Sequence, residues 1–166
     1  MARLLALDVG DARIGVAICD AMGFLASPYT TIHVPHREEQ LWQEIQQLLR
    51  ETDAEGLVVG LPISLDGQIH AQGRHIQEFA ERLKPHIEVP LFFWDERLST
   101  VEAQRLLAQR DLNEEGKRTR RGNRSQSRRR RKHASQEIDA LAATVILQDY
   151  LDHLDTKTEE KTNETT

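Results

Sequence analysis

The sequence predicts an α/β domain: a mixed five-stranded sheet, its first three strands antiparallel, flanked by helices. Three observations carry this expectation. The chain opens on two apolar runs of strand length joined by a short polar turn. After Pro35 the apolar residues change to helical spacing. Two later apolar runs are each followed by another stretch of helical character. Hairpin-linked strands followed by crossover units require a mixed sheet, antiparallel at one edge. A chain of 166 residues suits one such domain, placed at 1–154 with 155–166 as a disordered tail.

The elements follow in order. Leu4 to Val9 and Ile14 to Cys19 form the opening hairpin around Gly10-Asp11-Ala12-Arg13. A third strand from about Phe24 to Val34 contains Pro28, which places it at a sheet edge or a bulge. Leu41, Ile45, Leu48 and Leu49 mark a helix through about Glu51. Leu57-Val58-Val59-Gly60 reads as a short buried strand, ending in a loop from Leu61 to Gly67. Ile69, Ile76, Phe79 and Leu83 fall on one side of a second helix closed by Pro85. Val89 to Trp94 is the fifth strand, running into Asp95-Glu96-Arg97. Ser99 three residues before Glu102 is a capping-box pattern for a third helix. Residues 113–133 lack periodicity and read as a loop. The last helix runs from near Ser135 to Leu154, with Ile138, Leu141, Ala142, Val145 and Tyr150 facing inward.

The formal charge of −5 conceals a division. Ten Lys and Arg fall between Lys117 and Lys132 with no acid among them. The 12 elsewhere face all 27 Asp and Glu, which leaves the remainder at −15. The basic stretch reads either as a solvated loop or as a grip on a phosphate backbone, and a loop that orders on binding satisfies both. Cys19 is the only cysteine, so no internal disulfide forms, which suits a reducing cytoplasm. The apolar N-terminal stretch is short and broken by Asp8, so it reads as a strand rather than a signal peptide or membrane span.

Three carboxylate positions draw attention. Asp8 interrupts an apolar strand, where a carboxylate is costly to bury unless paired or metal-bound; capping the hairpin turn is the bland alternative. Asp95 and Glu96 close the fifth strand, and adjacent strand residues point to opposite faces, so one of the two joins a site with Asp8. Glu96 is preferred, although spacing alone does not decide. Asp139 lies in the first turns of the last helix, with Ala142 and Ala143 small enough to bring that helix close to the sheet; an acid favoured by the helix dipole is the alternative. An all-oxygen set of Asp8, Asp95, Glu96 and Asp139 suits Mg²⁺ or Mn²⁺ rather than zinc.

Four motifs occur in order: Leu-Ala-Leu-Asp8-Val-Gly10-x-x-Arg13-Ile-Gly15, Val-Val-Gly60-Leu-Pro62-x-Ser64-x-Asp66-Gly67, Asp95-Glu96-Arg97-Leu-Ser99-Thr100, and Ile-Asp139-Ala-Leu-Ala-Ala143. Together they resemble the YqgF/RuvX family of Holliday-junction-resolvase-like nucleases associated with maturation of the small-subunit ribosomal RNA precursor. The resemblance implies a ribonuclease-H-like fold with Asp8, Glu96 and Asp139 as catalytic acids and Asp95 alongside. The expected reaction is hydrolysis of RNA or branched DNA phosphodiesters by water activated by two Mg²⁺ or Mn²⁺ ions, and the resemblance implies products with a 5′-phosphate and a 3′-hydroxyl. Arg13, Arg97, Arg124, Arg128, Arg129, Arg130, Arg131 and Lys132 are the candidates for neutralising phosphate. The basic loop is longer and richer in Arg than the family's usual one. The cation expected near the helix start therefore falls at Lys132 or His133, and which group meets the scissile phosphate stays open.

Two further functions fit parts of the sequence. A non-catalytic RNA-binding assembly factor would need only the basic segment. An ATP-binding protein of the actin and sugar-kinase type shares the Asp-x-Gly hairpin, but holds nucleotide between two such domains, and this chain has length for one.

Overall fold

The computed structural model describes residues 3–64, 66–95 and 138–155. Strands β1 (Leu4–Val9), β2 (Arg13–Cys19) and β3 (Ala26–His33) form an antiparallel meander. Helix α1 (Glu38–Glu51) leads to β4 (Gly56–Leu61), which pairs in parallel with β1. Helix α2 (Ala71–Leu83) leads to β5 (Leu91–Asp95), parallel to β4. The sheet order is β3-β2-β1-β4-β5, so β1 lies at the centre. A last helix, α3, occupies residues 138–155. No helix among the described residues is long and apolar enough to cross a membrane. The predicted third helix, the 113–133 loop and the 156–166 part of the tail lie outside the described residues.

Strand alternation divides the sheet into two faces. Leu5, Leu7 and Val9 of β1 join Leu57, Val59 and Leu61 of β4 beneath α1 and α2, which contribute Leu41, Trp42, Ile45, Ile76, Phe79 and Leu83. Leu4 and Ala6, with Ala17, Cys19 and Val58, face α3 through Ala143, Ile146, Leu147 and Leu151. Central strands covered on both sides read as nearly unbroken apolar runs, which is why β1 and β4 carry so few polar residues.

Several boundaries differ from the sequence expectation, each for a local reason. β3 begins at Ala26 because the Asp20 carboxylate accepts the Phe24 and Leu25 backbone N–H groups at 2.8 and 3.2 Å and holds a turn. Those bonds, Phe24's foremost, keep the Asp20 carboxyl below the usual carboxylate range. Pro28 lies on the edge strand beside a bulge: Val16 faces Thr30 while Ala17 faces Pro28, leaving Tyr29 as the extra residue. β5 starts after Pro90, which has no N–H to give the ladder but whose carbonyl accepts Leu57 N–H at 2.9 Å. Ile69 packs on the core just ahead of α2, which begins at Ala71. In α3 the buried residues are Ala140, Ala143, Val145, Ile146, Leu147 and Leu151. Ile138, expected to face inward, is 44% exposed, because it is out of step with the Ala143-Leu147-Leu151 stripe.

Candidate active site

The site is built where β1 and β2 meet the start of α3. Asp8 pairs directly across the ladder with Gly15, so the two share the face covered by α3. Gly15 is the reason α3 can come so near. A Cβ built there would fall inside contact distance of the Asp139 carbonyl carbon and oxygen, and 3.0 Å from the Ala140 nitrogen. A stripe of small residues, Ala140 and Ala143 on the helix and Ala6 and Ala17 on the strands, extends the close approach. The far half of α3 is anchored at the other end of the sheet. Gln148 accepts Ala26 N–H at 2.9 Å and donates to the Phe24 carbonyl at 3.0 Å. The helix thus runs opposite to β1 and delivers Asp139 to the carboxyl end of that strand.

The electrostatics of the pair are unfavourable as they stand. Burial pushes the Asp8 carboxyl up from 3.8 to about 6, and the negative charge of Asp139 pushes in the same direction. The hairpin turn does not depend on Asp8, since Gly10 N–H closes it on the Arg13 carbonyl at 3.0 Å. Among the described residues one cation reaches the pair: Arg13 Nε stands 2.8 Å from Asp139 Oδ2. The N–H is not aimed at that oxygen, however, and among the described residues Oδ2, shielded from solvent, has no hydrogen-bond partner. An orphaned carboxylate oxygen beside a second, half-buried carboxyl is a donor set suited to a hard divalent cation.

Of the acids singled out from sequence, Asp8 and Asp139 come together. Asp95 is paired with Leu61 at the end of β5 and follows Leu91 and Phe93, which pack in the α1/α2 core. Alternation therefore assigns Asp95 to the face opposite Asp8. Phe92 and Trp94 take the α3 side, where both ring systems meet Tyr150, at 6.0 and 5.6 Å between centroids. Glu96, Arg97, Arg124, Arg128, Arg129, Arg130, Arg131, Lys132 and His133 lie outside the described residues. Among the described residues no group of three or more His, Cys, Asp and Glu is close enough to hold a metal. In the Gly60-Leu-Pro62 segment, Leu61 is still buried strand. The Pro62 carbonyl would sit 2.9 Å from a Cβ on Gly73 of α2.

Two features of the site were not singled out from the sequence as functional. Gly15 lies between Ile14 and Val16, and an isolated glycine in a strand signals close approach by another backbone. The contact of Arg13 with Asp139 joins residues 126 positions apart, and no local pattern announces it.

The chain matches the RuvX family, described as Holliday junction resolvase, over residues 2–153. It is 41% identical over 150 residues to a protein of Roseiflexus sp. (strain RS-1) named "Putative pre-16S rRNA nuclease", covering 90% of this chain and 94% of that one. A protein of the same name from Thermoanaerobacter pseudethanolicus is 40% identical over 151 residues, 90% of this chain and 96% of that one. Among solved structures, Thermus thermophilus RuvC superposes with a TM-score of 0.50 at 11% identity, covering 93% of this chain and 97% of that one. That likeness concerns the fold, and the ribonuclease-H-like architecture expected from the sequence is the one observed.

Proposed function

The chain belongs to the RuvX family, and from that premise we propose that it is a divalent-metal-dependent nuclease that processes the 5′ end of pre-16S ribosomal RNA. The observation that carries the chemistry is the half-buried, mutually repelling pair of Asp8 and Asp139 at the carboxyl end of the central strand. In open sheets with parallel strands, ligands gather at that end. Asp8, Asp139 and Glu96 would hold Mg²⁺ or Mn²⁺. Glu96 is favoured over Asp95 because alternation turns Asp95 to the other face. A bound ion of this kind supplies a Lewis acid that lowers the pKa of an attacking water and offsets charge on the leaving oxygen. The protein's part is to fix the carboxylates on a strand and a packed helix, and to offer Arg13 and the basic 117–132 segment to phosphates.

The test is cleavage by the purified full chain of an RNA carrying the 5′ leader of the small-subunit precursor, beside a four-way DNA junction, with Mn²⁺. Metal-dependent cleavage of the RNA with the junction left intact supports the proposal. Cleavage of the junction alone would favour the resolvase activity that names the family. Binding without cleavage of either would leave an assembly factor.

The raised Asp8 carboxyl sets the pH dependence. A protonated acid does not ligate metal, so at subsaturating Mn²⁺ the single-turnover rate should fall as pH drops through about 6, by about tenfold per unit below it. Saturating metal should move that fall to lower pH. A flat profile between pH 5 and 8 at low Mn²⁺ would exclude Asp8 as a ligand.

A further inference from the structure

We propose that Arg13 is a displaceable counter-ion: it neutralises Asp139 until a divalent cation enters, then turns out to take the substrate phosphate. This rests on the reading that Asp8 and Asp139 hold that cation. Arg13 is the first residue of β2, two positions from Gly15, and so shares the face on which Asp139 lies against Asp8. Its Nε stands 2.8 Å from Asp139 Oδ2, yet that oxygen gains no hydrogen bond. The contact is therefore held by charge alone, without the aligned, forked bonding that makes Arg–carboxylate pairs hard to separate. Arg13 is also the more exposed partner, 37% against 24%, which leaves its guanidinium a route to solvent.

A guanidinium has no lone pair to offer a metal and keeps its charge, so it repels a cation arriving at the Asp139 carboxylate, and that repulsion favours exchange over sharing. Once displaced it retains its charge and stays tethered at the rim of the same site. There the two non-bridging oxygens of a phosphodiester present a bidentate acceptor that the planar guanidinium matches. Metal entry and substrate binding then favour one another, and the coupling is reciprocal.

The experiment follows the Arg side-chain Nε–H resonances of the full-length chain by NMR while Mg²⁺ alone is added, with Mn²⁺ affinity measured in parallel by calorimetry. The Arg13 signal is identified by its loss in Arg13→Lys. It should shift saturably with Mg²⁺ in the wild type, and be insensitive to Mg²⁺ in Asp139→Asn. Arg13→Gln should bind Mn²⁺ about two- to tenfold more tightly than wild type, the scale of a part-exposed ion pair, with Arg13→Lys in between. An Arg13 resonance that stays in place while calorimetry shows metal bound would overturn the exchange and leave the metal site standing. Weaker Mn²⁺ binding by Arg13→Gln would overturn it too, making Arg13 a fixed support for the carboxylate. Absence of any metal binding by the wild type would remove both the exchange and the site beneath it.

Discussion

Asp8→Asn should give a protein that is more stable at pH 8 in metal-free buffer and that no longer cleaves its substrate. The amide keeps the shape of the carboxyl and removes the charge that burial and Asp139 disfavour. The rise of the Asp8 carboxyl from 3.8 to about 6 amounts to about 3 kcal/mol against the folded, ionised form. Residual contact with solvent reduces that to about 1–2 kcal/mol. The sign follows from proton linkage. Between pH 3.8 and about 6 the folded chain holds the Asp8 proton more tightly than the unfolded chain. The wild type therefore loses stability as pH rises across that window, and the loss is complete above it. Denaturant melts should separate the variants at pH 8 and nearly superpose them at pH 4. Mg²⁺ should then stabilise the wild type and not Asp8→Asn, since only a ligand that binds the folded form shifts the melt. Turnover should fall by on the order of a thousandfold, equivalent to about 4 kcal/mol of barrier. A variant less stable than wild type at pH 8 would mean the carboxylate is satisfied by the protein, and the metal-site argument would lose its foundation.

What the sequence conveyed and what it withheld divide along the range of the interactions. Asp8 was legible because an acid within the apolar run of a central strand conflicts with burial, and one residue in its apolar neighbourhood suffices to register the conflict. Pro28 predicted an edge or bulge because the missing donor is a property of proline itself, and the structure has both. The choice between Asp95 and Glu96 required the β4–β5 register, which pairs Leu61 with Asp95 and so assigns a face to each strand residue. Local spacing contains no such reference. Ile138 was misassigned because hydrophobicity was read as orientation, whereas the inward stripe of α3 is set by Ala143, Leu147 and Leu151 against the β1 and β2 alanines. Arg13 was expected to neutralise phosphate, while the partner it has in the structure, Asp139, arrives from the last helix. The start of β3 moved because one side chain, Asp20, captured two backbone donors that a strand would have used elsewhere.

Gly15→Ala should cost more activity than its single added methyl suggests, because the methyl is directed at backbone. The new Cβ would press on the Asp139 carbonyl and the Ala140 nitrogen, neither of which can rotate away as a flexible side chain does. Relief requires the first turn of α3 to retreat from β2, and the Asp139 carboxylate retreats with it. Crowding of this kind costs about 1–3 kcal/mol, or a melting point lower by about 3–10 °C in a domain of this size. A displacement of about 1 Å at a catalytic group costs on the order of a hundredfold in rate. Stability and positioning are separable here by comparison with Leu147→Ala, which opens a cavity further along the same helix. That variant should lose about 2–5 kcal/mol while retaining most of its turnover below its melting point, because Gln148 and Gly15 still fix the helix on either side. Cleavage and Mn²⁺ affinity of both variants, measured well below their melting points, decide the matter. If Gly15→Ala keeps wild-type turnover, or Leu147→Ala loses as much, the close seating of α3 on β2 serves the core alone. If the two part as expected, the bare backbone at Gly15 is what brings the acid of the last helix against the acid of the first strand.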